Sequence, residues 1–442
     1  MERMIEAIRN LIQMAAPSIS VQIAEYAYPS NTTGKIYSLP QELINAIIDE
    51  IHSDPDPKTA RRTLKSCGLI SRIFLRRTRE HLFRHITIRS IPECQELLAL
   101  SQVHSFTTSL TIIFQSRRPH VRGYEMISTL TELPSLIDAL HNLNTIKLCG
   151  MDWKSVSQRF IDSLASSSFM SITLMHTHFP DSNAFYSFLS HSPNLRQLSC
   201  FKTTIDSSDR PPFRANFDVS HRPRITELSL REMNQITAML STPALSPVNL
   251  SGLRVLDVFL EEVGQFDQAH RLMNLTAHSL EVLRVSQLLT RPADRSQYFP
   301  IDRLKSIMIE TCDSCLVVFN WWIEHFEKYP AMQCSSMHLF VCVLTNPVRT
   351  LADYAGWKRL DIALSRTSIR SLQVVVTLVA TSNTILASEH SAMKSAVEEN
   401  LPILMSRGIV RVHVDFYKKH NSCRRKFPSR LRDDVERYLA SE

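Results

Sequence analysis

Glycine is scarce in this chain. Of 442 residues only eight are glycine, about 2% against a usual share of about 7%. No two of them stand close enough to make G-x-G. A dinucleotide-binding fingerprint, a P-loop and a kinase-type glycine loop all need clustered glycines, so that backbone N–H groups can approach phosphate, and none of them can exist here. The nucleophile elbow G-x-S-x-G, the zinc helix H-E-x-x-H and the EF-hand loop are also absent. Long apolar runs are missing too. The longest, around 371–380 and 315–323, fall far short of the roughly 18–20 residues that a membrane span requires. The first residues, MERMIEAIRN, lack the basic start and clean apolar run of a signal peptide. Nine cysteines form an odd set without framework spacing, which is the usage expected of a reduced protein of the cytoplasm or nucleus.

What is present is ample core material. Hydrophobic residues make up 44% of the chain, and 50 Lys+Arg against 43 Asp+Glu leave a formal net charge of +7. The length suits two or three domains or one long solenoid. Residues 1–36 read as a short helix followed by a polar linker. The segment after them is dense in helix signals. Ser38, Leu39 and Pro40 with Glu42 mark a helix start, since proline is tolerated in a first turn. Leu43, Ile44, Ile47, Ile48 and Ile51 then give one apolar arc. A DPDP turn interrupts it. Leu64, Cys67, Leu69, Ile70, Ile73 and Phe74 form a second apolar helix, and Leu82, Phe83 and Ile86 fall on a third. So small a unit carries more apolar surface than it can bury by itself, so it is expected to pack on a partner or, alternatively, to cap the rest of the chain.

LPQELINAIIDEI (39–51) and TLKSCGLISRIFLRRTREHLFRHI (63–86) together resemble the F-box, in the F-box-like variant found in mushroom-forming fungi. The match is carried by Leu39-Pro40, Glu42-Leu43, Ile47, Ile51, Leu64, Cys67, Leu69-Ile70-Ser71-Arg72 and Leu82-Phe83. The chain departs from the pattern in having Phe74 where many F-boxes carry Trp, and in a first loop lengthened by DPDPKTARR. The resemblance implies a helical module over 37–90 that docks on a Skp-type adaptor, and through it on a cullin. The residues it implies at that contact are Leu39, Pro40, Leu43, Ile47, Ile51, Leu64, Cys67, Ile70 and Phe74.

Over 91–420 the chain repeats. Apolar residues at positions 1, 4 and 6 recur as Leu143/Ile146/Leu148, Phe169/Ile172/Leu174, Leu195/Leu198/Cys200, Ile225/Leu228/Leu230 and Leu253/Leu256/Val258. Leu280/Leu283/Val285, Leu304/Ile307/Ile309, Ile369/Leu372/Val374 and Ile409/Val412/Val414 continue the series, with weaker instances starting at Thr107 and Ser336. Helix-like stretches such as 156–167 and 183–194 lie between them. Half the spacings fall in the leucine-rich-repeat range, and units that cannot bury their own face must stack. The expected fold is therefore α/β: a short helical module, then a leucine-rich-repeat-like solenoid of parallel strands alternating with helices. An ordinary α/β domain is the alternative. The repeats are degenerate. At position 9, where the consensus has Asn or Cys, only Cys312 fits, and Thr177, Thr203 and Thr377 are partial substitutes.

Chemical sites are sparse. Cys312-Asp313-Ser314-Cys315 lacks a second ligand pair for zinc. Lys418, Lys419, Arg424, Arg425, Lys426, Arg430 and Arg432 make a basic C-terminal stretch, with a capping helix expected at 431–440 inside the terminal segment 421–442. The outward strand positions hold Lys147, Arg231, Arg284 and Arg411 against Glu227, Asp257, Glu310 and Asp415. That balance argues against a nucleic-acid groove, which would be uniformly positive. Met175, Phe201, Phe259, Met308 and Phe340 on the same face suit contact with protein. The expected function is that of a non-enzymatic, cofactor-free substrate receptor of a Skp-cullin-F-box ubiquitin ligase in cytoplasm or nucleus, whose solenoid binds a target protein. The alternative is a repeat scaffold outside any ligase, with the N-terminal helices as its cap.

Overall fold

The computed structural model describes residues 40–54, 56–70, 72–114, 131–206, 222–231, 235–260, 263–287, 298–312, 316–343, 355–380 and 387–418. Leu39, the helix expected within residues 1–15, residues 313–315 of the C-x-x-C and the basic stretch beyond Lys418 lie outside them.

Three helices come first: α1 (Gln41–His52), α2 (Pro57–Ile70) and α3 (Arg72–Phe83). Pro40 stands just before α1 rather than inside its first turn, and its carbonyl accepts the N–H groups of Leu43 and Ile44 at 3.0 and 3.2 Å. The Asp56 carboxylate caps α2. It accepts the Lys58 N–H at 3.1 Å and the Thr59 hydroxyl at 2.6 Å, while Pro57 fills a position where no N–H is needed. Residues 58–62, expected as an inserted loop, are therefore the first turns of a helix. Ile44, Ile48, Ile51, Leu64, Cys67 and Phe74 close a small core of their own, with Ile47 and Leu82 half-buried against it. The neighbouring Phe83 packs on the main core instead, so the joint between the two cores falls at Leu82 and Phe83.

A twelve-stranded, all-parallel sheet follows. In spatial order its strands are β1 (His85–Ile88), β2 (Ser109–Ile113), β3 (Thr145–Cys149), β4 (Ser171–Met175), β6 (Gln197–Phe201), β8 (Glu227–Arg231), β9 (Val255–Leu260), β10 (Val282–Gln287), β11 (Ser306–Cys312), β12 (Ser336–Val343), β13 (Ser371–Ala380) and β14 (Val410–Lys418). β5 (His178–Phe179) pairs with β7 (Thr204–Ile205) in a second, two-stranded sheet. Between strands run α4 (Ile91–Ala99), α5 (Ser101–His104), α6 (Glu132–Ala139), α7 (Gln158–Ser166), α8 (Ser182–Ser190), α9 (Gln235–Leu240), α10 (Val263–Thr276), α11 (Leu316–Lys328), α12 (Gly356–Ser365), α13 (Ala387–Glu399) and α14 (Pro402–Ser406). The fold is an α/β solenoid of the leucine-rich-repeat type. Each strand buries alternate positions, as Ile146 and Leu148 on β3 show.

The apolar triads from Leu143 to Leu304 sit on the strands expected. Three differences stand out. The helix signal over Leu82, Phe83 and Ile86 ends at Phe83, and His85–Ile88 pair with β2, so one repeat precedes Thr107. Ser306 pairs with Ser336, which aligns Cys334/Met337/Leu339, all buried, with Leu304/Ile307/Ile309. The triad expected from Ser336 starts two residues too late. The pairing of Leu372 with Val410 shifts the last triad by two in the same way. A shift of two leaves the same side chains on the buried face, so hydrophobic pattern alone does not detect it.

The middle of the array is its most regular part. Gly150, His176 and Lys202 follow β3, β4 and β6 at equivalent positions, with φ of 70°, 52° and 49°. Left-handed backbone costs a non-glycine residue roughly 1–2 kcal/mol. Here it aims the N–H groups of the three residues at Met175, Phe201 and Arg231 carbonyls, at 2.7, 2.8 and 3.1 Å. The next residue of each turn, Met151, Thr177 or Thr203, is buried. Thr177 and Thr203 donate to the Leu148 and Leu174 carbonyls at 3.5 and 3.4 Å, the service expected of the consensus Asn or Cys. The helices between these strands begin on side-chain caps. Ser157 accepts from the Phe160 N–H at 3.3 Å and Asp181 from the Ala184 N–H at 2.8 Å.

Toward the C-terminus the core turns aromatic, with Phe266, Phe299, Trp321 and Trp322 packed around His325. Burial drives the His325 pKa down to about 3. The ring is therefore neutral, accepting the Phe299 N–H at Nε2 (2.7 Å) and donating from Nδ1 to the Trp321 carbonyl (3.1 Å). The buried Asp361 on α12 takes the N–H groups of Ile403 and Leu404 at 3.0 and 2.9 Å, which ties α14 to α12. Asp361→Ala leaves those donors unmet. It is expected to cost about 1–3 kcal/mol, read as a lower thermal midpoint and faster amide exchange at Ile403 and Leu404.

Candidate functional site

The nine residues named for adaptor contact separate in the folded module. Ile51, Leu64, Cys67 and Phe74 are buried in its core. They hold the three helices together and present nothing outward, a correction to their expected place at a contact surface. Pro40 is exposed, and Leu43 and Ile47 are half-buried, one turn apart on α1. Leu39 and the Ile70 side chain lie outside the described residues. Two apolar side chains of the module that were not named for the contact are the most exposed large ones among its described residues: Leu69 at 89% and Ile73 at 46%. Helix geometry explains Leu69. Once α2 is one helix, Leu69 lies about 200° around from Cys67 at 100° per residue, so it must face away if Cys67 faces in. The helix ends at Ile70 and restarts at Arg72, which brings Ile73 beside that corner. α1 and α2 pack mainly on each other and on α3, and α3 leads into the sheet.

Charged groups lock α1 to α3. The Arg77 guanidinium donates from Nε and Nη2 to the two Asp49 oxygens, both at 2.7 Å, and from Nη1 to Glu80 at 2.7 Å. His81 Nε2 lies 2.6 Å from Asp49, and its ring stacks near His52 with centroids 4.2 Å apart. Arg77 holds the Asp49 carboxyl below its usual pKa, against the opposing effect of partial burial. Burial, then the charge of His81, lowers the pKa of His52.

The second face of the sheet carries the outward strand positions. Its charges are partly satisfied within the face. Arg231 meets Asp257 at 3.2 Å, Ser229 donates to Asp257 at 3.1 Å, and Ser286 donates to Glu310 at 2.6 Å. From β9 onward the face is itself largely buried. Asp257, Phe259, Ser286, His338, Phe340, Gln373 and Val375 are all below a tenth exposed. Phe259 and Phe340, expected to suit protein contact, are thus core residues, while Met175, Phe201 and Met308 are half-buried. His338 bridges Ser336 and Gln373 at 3.1 and 3.0 Å. The sequence holds no signal for this covering, because the strands alternate in the same way along the whole array. Among the described residues no group of three or more His, Cys, Asp or Glu could hold a metal ion, and no helix is long and apolar enough to cross a membrane.

No family model matches the chain, and no curated protein matches it. Among solved structures, the crystal structure of the Rad7 and Elc1 complex in yeast aligns at 10% identity over 92% of this chain and 94% of that chain, with a TM-score of 0.35. So distant an alignment carries no weight beside the chain's own geometry.

Asp49 gives a measurable signature. Its pKa is depressed in the folded state, so its contribution is present above the unfolded value of about 4 and is lost as pH falls through the folded value. The Asp49 side chain is 43% exposed, so solvent screening holds the contribution to roughly 1 kcal/mol or less. Asp49→Asn is expected to lower the thermal midpoint by a constant amount at neutral and mildly acidic pH, and by progressively less below about pH 4. Melts of both proteins across that range check it.

Proposed function

We propose that the chain is the substrate-recognition subunit of a Skp-cullin-F-box ubiquitin ligase, with the F-box-like helices α1 to α3 docking a Skp-type adaptor and the solenoid binding a target protein. One observation carries this reading: the three helices close a core of their own and still leave Leu69 and Ile73 exposed beside it. A cap would spend Leu43 and Ile47 against the first repeat, whereas Ile47 packs on the module's own core. The module over 37–90 would be the docking part and the repeats over 91–420 the recognition part, in cytoplasm or nucleus. Such a chain does no bond chemistry. It raises the effective concentration of a target's lysines near a ubiquitin-charged enzyme.

Co-purification of the full chain with a fungal Skp-type adaptor tests this. Leu69→Asp/Ile73→Asp is expected to lose the adaptor while keeping the wild-type melting midpoint, because neither residue is in the core. Leu43→Asp/Ile47→Asp is expected to weaken it as well. Phe74→Ala should act differently, by opening the small core at a cost of about 3–5 kcal/mol. A well-folded wild type that binds no adaptor sinks the ligase reading and leaves the repeat scaffold.

A further inference from the structure

Covering of the second face from β9 onward leaves β1 and, after it, five adjacent strands, β2, β3, β4, β6 and β8, where outward residues stay accessible. Neighbouring strands lie about 4.8 Å apart, so these five span about 19 Å, the length of roughly six extended residues. Two continuous rows cross them. One is Thr111, Lys147, Thr173, Ser199 and Ser229, paired in register from strand to strand. The other, two positions further along, is Ile113, Cys149, Met175 and Phe201, ending at Arg231. The first row is hydroxyls around one ammonium, and the second is apolar.

The charge of this half is one-sided. Lys147 makes no ion pair among the described residues. Lys202 Nζ stands 5.5 Å from the centre of the Phe201 ring, and the edge of His176 meets the same ring at 5.1 Å. Arg231 is neutralised by Asp257. The acid carried by these strands, Glu227, sits at the far edge of the face, outside both rows. A carboxylate placed on the first row would find Lys147 and flanking hydroxyl donors, with apolar side chains two positions away for its neighbours. A nucleic acid fits worse, since the single ammonium of the first row neutralises too little of a phosphate backbone.

We propose that this face takes an extended acidic peptide of the target, about six residues long, with a carboxylate against Lys147 and apolar side chains against Cys149, Met175 and Phe201. The proposal rests on the solenoid being the target-binding part. It leads to a direct selection. Random dodecapeptides displayed on phage are panned on the full-length protein, and an enriched sequence is synthesised and its affinity measured by fluorescence anisotropy. Enriched peptides are expected to mix Asp or Glu with Leu, Ile, Met or Phe. Binding is expected to weaken about tenfold or more in Lys147→Glu, to change little in Lys147→Arg, and to fall with added salt. Should Lys147→Glu perturb folding, Lys147→Gln reads the same loss of charge. Absence of any enriched peptide, enrichment without an acidic bias, or binding unchanged by Lys147→Glu overturns the proposal. Adaptor co-purification run on the same variants separates the two readings. Peptide binding without adaptor binding keeps this face and removes the ligase, while the reverse keeps the ligase and removes the face.

Discussion

Each repeat is held to the next by one carbonyl that serves two donors. The carbonyl of Arg84 accepts the N–H groups of Thr108 and Ser109, that of Thr108 accepts from Asn144 and Thr145, and that of Asn144 from Met170 and Ser171. The same arrangement recurs at Met170, Arg196, Thr226, Arg254, Glu281, Lys305 and Ser335. It lies at the entrance of each strand of the large sheet from β2 to β13, before the ladder proper begins. A strand that enters at a pinned point has its register set from the first residue. That makes the length of the return segment almost irrelevant to the sheet. Repeats of very different length therefore lie in one continuous row from His85 to Ser371.

The same pinning explains why a poor consensus is tolerated. In regular repeats a position-9 side chain satisfies the turn. Here Thr177 and Thr203 do so with long hydrogen bonds, and Met151 does not do so at all. The turn survives because the left-handed residue before it donates to the neighbouring strand. The C-terminal repeats lean on aromatic packing around a neutral His325. Burial of large rings substitutes for the missing polar ladder.

Two cores meeting at adjacent residues divide the work. The main core binds the solenoid into one stack, while the smaller one, with the Asp49–Arg77 contact, lets three short helices keep their shape beside it. A unit of that size rarely stabilises itself by more than about 3–5 kcal/mol, so its attachment through Phe83 matters. On the sheet, covering half of the second face and leaving half accessible divides an otherwise uniform array into two unlike halves.

Much of this was legible in the chain itself. Apolar residues at positions 1, 4 and 6 demanded strands, because alternate burial is what a half-covered sheet imposes, and the helix-like stretches 156–167 and 183–194 overlap the helices α7 and α8. The scarcity of glycine ruled out phosphate-cradling loops. Other features were decided by tertiary structure. His85–Ile88 became a strand because β2 offered a pairing edge, although the residues before them read as helix. The register at β12 and β14 slipped by two because side-chain alternation has a period of two and cannot tell the alternatives apart. Which apolar residues of the three N-terminal helices point inward followed from how those helices pack on one another, and this left Leu69 and Ile73 outside while Ile51, Leu64, Cys67 and Phe74 went in. A local pattern reports which residues avoid water. Only the assembled chain decides which of them find cover, because cover is supplied by residues far away in sequence.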